Sequence, residues 1–528
     1  MCATTACHSR LIDETGHRPA TRLAGGVLAA LVVLTAVPAS ARAAASAAGG
    51  QTNFLVILCD DLGYGDLACY GHPTIQSPNL DRLAAEGIRL TSCYSAAPVC
   101  SPSRTGLLTG RNPNRVGVYD WIPAGHPMHM GRNEITIARL LQQAGYATGH
   151  FGKWHCNGQF NSPAQPQPVD QGFDYWFSTQ NNAGPSHHNP TNFVRNGQPV
   201  GPTDGYSCQV VTDEAIGWLR TKRPPDKPFF AFVCFHETHE PVASPPELVA
   251  RYPQAKNANQ AIYFANVTNV DLAVARLLAA VDELGERDRT FVLFTSDNGP
   301  ETLERYPSGV HCYGSPGPLR GMKLHLYEGG IRVPGIIRWP LTPDGREASN
   351  GDRVASGVKG WPGHARSGQI VDEAVCSLDL LPTFCAIAGI EPPRDRPLDG
   401  ASILPIFDGK PVVRPTPLFW FYGLALGKPK AAMRDGDWKL VAHWDVTEPL
   451  AGIDPQFVQA FKHARLTDFE LYNLRADMGE RHDLAAEQPP RVQAMSGRLR
   501  DLFGQVQKEG PVWPAVKRPA ASRQAANR

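Results

Sequence analysis

Four strand-length apolar runs constrain this chain more than any other feature. They are Asn53–Cys59, Tyr146–Phe151, Phe229–Phe235 and Thr290–Thr295. Runs with no regular polar alternation suit strands buried on both faces, as in a parallel sheet covered by helices. Each run leads at once into groups that are costly to bury alone: Asp60-Asp61, Lys153-Trp154-His155, His236-Glu237-Thr238-His239, and Asp297-Asn298. In open α/β sheets ligands lie beyond the carboxyl ends of the strands. Asp60, Asp61, Lys153, His155, His239, Asp297 and Asn298 are therefore expected along one sheet edge. Any one of them alone reads as a solvated turn or a loop residue; recurrence on four strands reads as a site. Asp60-Asp61 in particular suits a divalent cation bound by hard oxygen ligands.

The segments between the strands are helical. Pro78–Gly87, Glu134–Ala144, Asn259–Leu284 and Leu378–Ile387 place apolar residues at turn spacing. Ile88–Ser92 and Ile336–Trp339 add two more strands. The alternation predicts an α/β fold with a large, mostly parallel central sheet flanked by helices. From about residue 415 the texture changes. Ala431–Arg434 and Trp438–Val441 flank Asp435-Gly436, a hairpin signal, and Glu470–Leu474 reads as another strand before a helix over Pro490–Phe503. The expected organisation is a leader over 1–47, a main α/β domain over 48–414, a smaller C-terminal α+β domain with an antiparallel sheet over 415–510, and a basic, Ala-rich disordered tail over 511–528.

Within the main domain, Cys100-Ser101-Pro102-Ser103-Arg104 runs on through Leu108-Thr109-Gly110. Ser101 then Pro102 is a helix-start pair and Gly110 a stop, which would put Cys100 just ahead of a helix N-terminus. Free N–H groups and the helix dipole favour an anion there, and Arg104 follows one turn later. A structural cysteine before an ordinary capped helix is the plain alternative.

The chain has 528 residues and a formal net charge of +1, which gives no bulk attraction to nucleic acid or a membrane surface. An anionic substrate would need locally placed cations. Arg18 and Arg22 precede an apolar stretch, Leu23–Val37, and Ala39-Ser40-Ala41 offers a small-residue cleavage site, so the N-terminus reads as an export signal and the protein as periplasmic or secreted. The stretch is short for a membrane span, and no stable membrane insertion is expected. Twelve cysteines are scattered without Cys-x-x-Cys spacing, which argues against structural zinc, although some could pair after export. Cys59 and Cys234 sit inside apolar runs and read as packing residues.

The Cys-x-Pro-Ser-Arg motif with Leu-Thr-Gly resembles the signature of the type I, formylglycine-dependent sulfatases of the alkaline phosphatase superfamily. Further landmarks follow in that family's order: Asp60-Asp61, Gly152-Lys153-Trp154-His155, Thr238-His239-x-Pro241, Thr295-Ser296-Asp297-Asn298-Gly299, Leu319-Arg320-Gly321-x-Lys323 and Tyr327-Glu328-Gly329-Gly330. The likeness runs from about Asn53 to Leu484, and the enzymes it points to are similar to arylsulfatase A and N-acetylgalactosamine-6-sulfatase. It implies hydrolysis of sulfate esters, with a sulfated glycan or small-molecule ester as substrate. Cys100 would be converted to formylglycine by a formylglycine-generating enzyme, and the hydrated aldehyde would attack sulfur. Asp60, Asp61, Asp297, Asn298 and the residue at Cys100 would hold a divalent cation, calcium ahead of magnesium. Arg104 would support the hydrate, Lys153 and Lys323 would grip sulfate, His155 would lie beside the formylglycine and His239 beside the leaving oxygen. His236 falls outside the motif position and reads as a loop histidine. The chain departs from the family pattern at Cys156-Asn157-Gly158 and at Met322, which bears on pocket shape rather than on a proposed ligand. Two alternatives stay open: a phosphonate or phosphate ester hydrolase of the same superfamily, and a non-catalytic exported sugar-binding relative. Trp121, Tyr175, Trp176, His187 and His188 are candidates for lining a sugar pocket.

Overall fold

A computed structural model describes residues 51–339, 367–446 and 455–514. The leader expected over 1–47 and the last fourteen residues of the expected tail lie outside the described residues. The main sheet contains eleven strands: β1 Asn53–Cys59, β2 Ile88–Tyr94, β3 Ala147–Lys153, β4 Tyr175–Thr179, β5 Val194–Arg195, β6 Gln198–Pro199, β7 Phe229–Cys234, β8 Thr290–Ser296, β9 Arg332–Arg338, β10 Gln369–Val371 and β11 Val375–Cys376. Their order is β10-β2-β9-β8-β1-β7-β3-β4-β5-β6, with β11 also on β2. The heart of the sheet, β8-β1-β7-β3-β4, is parallel throughout. The flanks are mixed: β9 runs antiparallel to both β8 and β2, and β5 antiparallel to β4.

Register decides where the polar groups emerge. Cys59 stands opposite Ser296, Leu58 opposite Cys234, and Cys234 opposite Gly152. The residues that follow these strands therefore leave the sheet at one level. All seven residues of β1, β3 and β8 are buried, as strands in a parallel sheet covered on both faces should be. Gly152 has φ +96°, and a Cβ there would lie 1.9 Å from the Cys234 carbonyl oxygen, so only glycine lets β3 lie against β7 just before Lys153.

The helix over Cys100–Thr109 ends at Gly110 in the left-handed conformation, as expected. Its start differs from the sequence reading. Cys100 is the first helical residue and Val99 the N-cap, and no side chain caps the end. The Ser101 hydroxyl accepts from the Ile122 N–H at 3.0 Å instead, so a tertiary contact has displaced local capping. The helix expected over Glu134–Ala144 is shorter, Ile137–Gln143, because Thr136 caps it on Arg139 N. Ala258–Glu283, capped by Asn257, is long and apolar enough to cross a membrane, but most of it is packed inside the protein.

A second sheet, β12 Leu418–Tyr422, β13 Lys430–Asp435, β14 Trp438–Trp444 and β15 Leu466–Asn473, is antiparallel in sequential order. Its Phe419, Phe421, Met433 and Leu440 join Phe54, Leu108, Phe384 and Phe503 in one hydrophobic cluster. The C-terminal helix Pro489–Glu509 is clamped to the segment after Gly110: Glu509 meets Arg115 at 2.5 Å and Arg111 at 3.0 Å. The ten described cysteines are all free thiols.

Candidate active site

The strand ends and the Cys100 helix meet in one buried cluster. Asp297 N donates to the Cys59 carbonyl at 3.1 Å, which brings β8's exit onto β1's. Asp60 N donates to Glu237 O at 2.8 Å and Thr238 N returns to Asp60 O at 2.6 Å, which fixes the His239 loop on the same edge. His155 N donates to Gln180 O at 2.8 Å, extending the β3–β4 pairing past the strands. Lys323 arrives from a distant loop held at both ends: its own N–H bonds Pro300 O at 2.9 Å and Leu324 N bonds Pro98 O at 2.9 Å. That loop passes Gly329, where an added Cβ would lie 2.0 Å from the Gly321 carbonyl oxygen. The glycine pair is thus where the Lys323 loop crosses the start of β9.

Carboxylates and cations interleave. Lys153 Nζ lies 2.5 Å from Asp60 Oδ2, and Lys323 Nζ 2.7 Å from Asp61 Oδ2. Arg104 donates Nε to Asp297 Oδ2 at 2.9 Å, brings a second guanidinium nitrogen within 2.7 Å of the same oxygen, and bonds the Lys153 carbonyl at 2.9 Å. Asn298 Nδ2 donates to Asp61 Oδ1 at 2.7 Å. Ligand atoms of Asp60, Cys100 and Asp297 lie within 4.8 Å of one another, and so do those of Asp61, Cys100 and His239. Asp61 and His155 both hold positive φ, 62° and 53°, a conformation rare for such side chains and typical of places where tertiary structure dictates the backbone.

This donor set fits a hard divalent cation. Three carboxylates face three fixed cations, Arg104, Lys153 and Lys323, so the cluster is formally neutral and an added divalent ion would make it positive toward an anion. Asp60 Oδ1 and Asn298 Oδ1 are buried oxygens with no hydrogen-bond partner, the state expected of ligand atoms. Burial works against charge on Asp60, yet Lys153, His239, Arg104 and Lys323 hold it well below the usual carboxylate range. Burial lifts Asp61 to about 6 despite Lys323, and Asp297 to about 7 despite Arg104. Burial likewise pushes the Cys100 thiol up to about 12, with the two lysines opposing.

The histidines carry fixed tautomers. A carbonyl only accepts, so His155 donates Nε2–H to Ile122 O at 3.1 Å and leaves Nδ1 as a buried, unpartnered base. His239 donates Nδ1–H to Glu240 O at 2.6 Å and turns Nε2 toward Asp61 Oδ2, 3.7 Å away. Burial lowers both, His239 to about 3 with Lys323 adding to the effect, and His155 well below its usual value. His236 sits apart, bonded to Thr179 Oγ1 at 2.8 Å.

Sequence reasoning singled out Trp121 but missed its neighbours Asp120 and Ile122, and it missed Glu301, which lies 3.8 Å from Lys323 and is gripped by Arg305. A carboxylate four residues beyond Asp297 was the available signal for Glu301; nothing local marked Asp120 or Ile122. Of the sugar-pocket candidates, Tyr175 is committed to Glu214 and Lys222 at the sheet edge, Trp176 is buried against Phe160, and His187 is buried near Glu237. Trp121 is exposed, and His188 is exposed and stacked on Tyr206.

Comparison with known proteins agrees with this geometry. Residues 52–390 match the Sulfatase family model. The chain is 31% identical over 500 residues to N-acetylgalactosamine-6-sulfatase of Homo sapiens, covering 88% of this chain and 87% of that one. It is 33% identical over 489 residues to arylsulfatase A of Homo sapiens, covering 84% and 85%. Among solved structures it resembles Ps i-CgsB in complex with k-i-k-neocarrahexaose, with a TM-score of 0.70 and 25% identity over 88% of this chain and 95% of that chain. With a parallel sheet whose strand ends, Cys100 helix and oxygen-rich cluster coincide, the chain belongs to the sulfatase family and is a sulfuric ester hydrolase.

Proposed function

We propose that this enzyme removes sulfate from a sulfated carbohydrate, using a calcium-class cation held by Asp60, Asp61, Asp297, Asn298 and the residue at position 100, together with a formylglycine made from Cys100 by a maturation enzyme. The observation that carries the reading is the meeting of Asp60, Asp297 and Cys100, from two strand ends and a helix start, with ligand atoms within 4.8 Å. When present, the cation polarises sulfate oxygens and the modified residue supplies the attacking hydroxyl.

The remaining roles fall to the chain's own side chains. Lys153 and Lys323 present ammonium groups to the sulfate oxygens and offset charge developing on them. Arg104 orients Asp297, whose carboxylate is placed to accept the proton of the attacking hydroxyl. His155, neutral and with Nδ1 free, is the base on the side of residue 100, and His239 is the proton carrier at the leaving oxygen. Lys323 helps keep His239 deprotonated at rest; a bound sulfate ester offsets that positive charge, so substrate entry itself favours proton uptake. Carbohydrate is supported by the names of the relatives, one an N-acetylgalactosamine-6-sulfatase and one solved with a neocarrahexaose. The N-terminal Arg18, Arg22 and Leu23–Val37 pattern supports export to the periplasm or beyond.

Dialysis against a calcium chelator tests the metal assignment. Chelation should abolish hydrolysis of 4-nitrophenyl sulfate and lower Tm by a few degrees, with calcium restoring both, because a ligand bound only by the folded state stabilises it by mass action. A Tm and rate indifferent to chelation would remove the cation from the account. Slower turnover of 4-nitrophenyl sulfate than of 4-nitrophenyl phosphate would favour the phosphatase alternative.

A further inference from the structure

We infer that Asp120 and Trp121 form the leaving-group subsite of this active site and select a polyhydroxylated pyranose ring over an apolar leaving group. The inference rests on the sulfatase reading above and adds the residues that read the sugar.

The segment 120–122 is held at both ends, by the second sheet at Asp120 and by the catalytic cluster at Ile122. On one side the Tyr422 hydroxyl, reaching over from β12, donates to Asp120 Oδ1 at 2.8 Å. On the other, Ile122 N donates to Ser101 Oγ at 3.0 Å, one residue from Cys100, while Ile122 O accepts from His155 Nε2 at 3.1 Å and Gln180 Nε2 at 3.0 Å. Asp120 is 5% exposed and Ile122 fully buried. Trp121 between them is 45% exposed, more open than any other described tryptophan, tyrosine or phenylalanine. The indole is held open on a segment one residue from a carbonyl bonded to His155. It offers a flat apolar face on which a sugar ring can stack, one residue from the Ile122 bonds to Ser101 and His155.

Asp120 supplies the polar half. A carboxylate has about four acceptor positions, and here the Tyr422 hydroxyl fills one of them. Asp120 lies two residues from the Ile122 carbonyl that holds His155, and Tyr422 fixes its carboxylate from the second sheet. Sugar hydroxyls can donate to the open acceptor positions. A steroid or plain alkyl body would cover Asp120 and leave it unpaired, a penalty that discriminates strongly against leaving groups without hydroxyls.

The test uses full-length, matured enzyme and two products as competitive inhibitors. N-acetylgalactosamine and N-acetylglucosamine 6-sulfates are the sugar substrates, the faster-cleaved one being carried forward; its desulfated sugar and inorganic sulfate are the inhibitors. Trp121→Ala should raise KM for the sugar sulfate and Ki for the desulfated sugar at least tenfold, with Ki for inorganic sulfate within twofold, and Trp121→Phe should recover most of the loss. Asp120→Ala should lower the ratio of kcat/KM for the sugar sulfate over estrone sulfate at least tenfold. An unchanged Ki for the desulfated sugar in Trp121→Ala, or parallel losses for sugar and inorganic sulfate, would overturn the subsite. Cleavage of 4-nitrophenyl sulfate with neither sugar cleaved would overturn it while leaving the sulfatase reading intact; no sulfate ester cleaved at all would overturn both.

Discussion

His155 and His239 are mirror images in their hydrogen bonding, and this separates their work. His155 spends Nε2–H on Ile122 and leaves Nδ1 unpartnered; His239 spends Nδ1–H on Glu240 and leaves Nε2 facing Asp61, 3.7 Å away. A group that protonates a leaving oxygen matters most when that oxygen leaves poorly. His239→Ala should therefore cut kcat/KM for a sugar sulfate by roughly a hundred- to ten-thousand-fold, and that for 4-nitrophenyl sulfate much less. Steady-state rates on the two esters decide it, and equal losses would take proton delivery away from His239. Arg104 shows what residue-level reading could not give. Its position one turn after Cys100 pointed to the helix end, whereas its guanidinium lies on Asp297 and the Lys153 carbonyl, a choice made by strands far away in sequence.

Elements are locked together by charges taken fully out of water. Lys439 on β14 lies 2.9 Å from both Glu328 and Glu480, and Glu328 also meets Arg332 of β9 at 3.2 Å and the Tyr94 hydroxyl of β2 at 2.5 Å. This network joins the second sheet to the main one directly beside the Lys323 loop. Lys439→Met would leave two buried carboxylates short of a cation and should cost about 3–5 kcal/mol of stability, read from denaturant unfolding; a loss under 1 kcal/mol would show that the sheets are held by apolar packing alone. The sequence disclosed the elements better than it disclosed these joints. Continuous apolar runs identified β1, β7 and β8, Asp435-Gly436 identified the β13–β14 hairpin, and polar groups at strand ends identified the cluster, because each is a local pattern. The antiparallel sense of β9, the displaced cap at Ser101 and the burial of Lys439 and Glu328 depend on what lies opposite in space, which no local pattern carries.

Over the whole molecule, the active-site edge is dense with buried charge while the far edge of the main sheet is closed by a half-exposed cluster. Glu214 there takes Arg195 at 2.5 Å, Lys222 at 2.6 Å and the Tyr175 hydroxyl, pinning β4 and β5 to the helix Ser207–Gly217. Burial opposes its charge, but Arg195, Lys222 and Tyr175 bring its pKa down to about 2. Because the folded value is below the unfolded one, the stabilisation is present above about pH 4.5 and is lost as the pH falls toward about 2. Glu214→Gln should remove about 1–2 kcal/mol at neutral pH, a figure discounted for solvent screening, and flatten the acid limb of Tm against pH. An acid limb identical to wild type would show the cluster to be thermodynamically idle. The central claim, that loops far apart in the chain assemble one sulfate-ester site around residue 100, is tested most directly by mass spectrometry of the Cys100 peptide from catalytically active protein. The thiol should be replaced by an aldehyde in the active fraction; an unmodified thiol throughout fully active protein would contradict it.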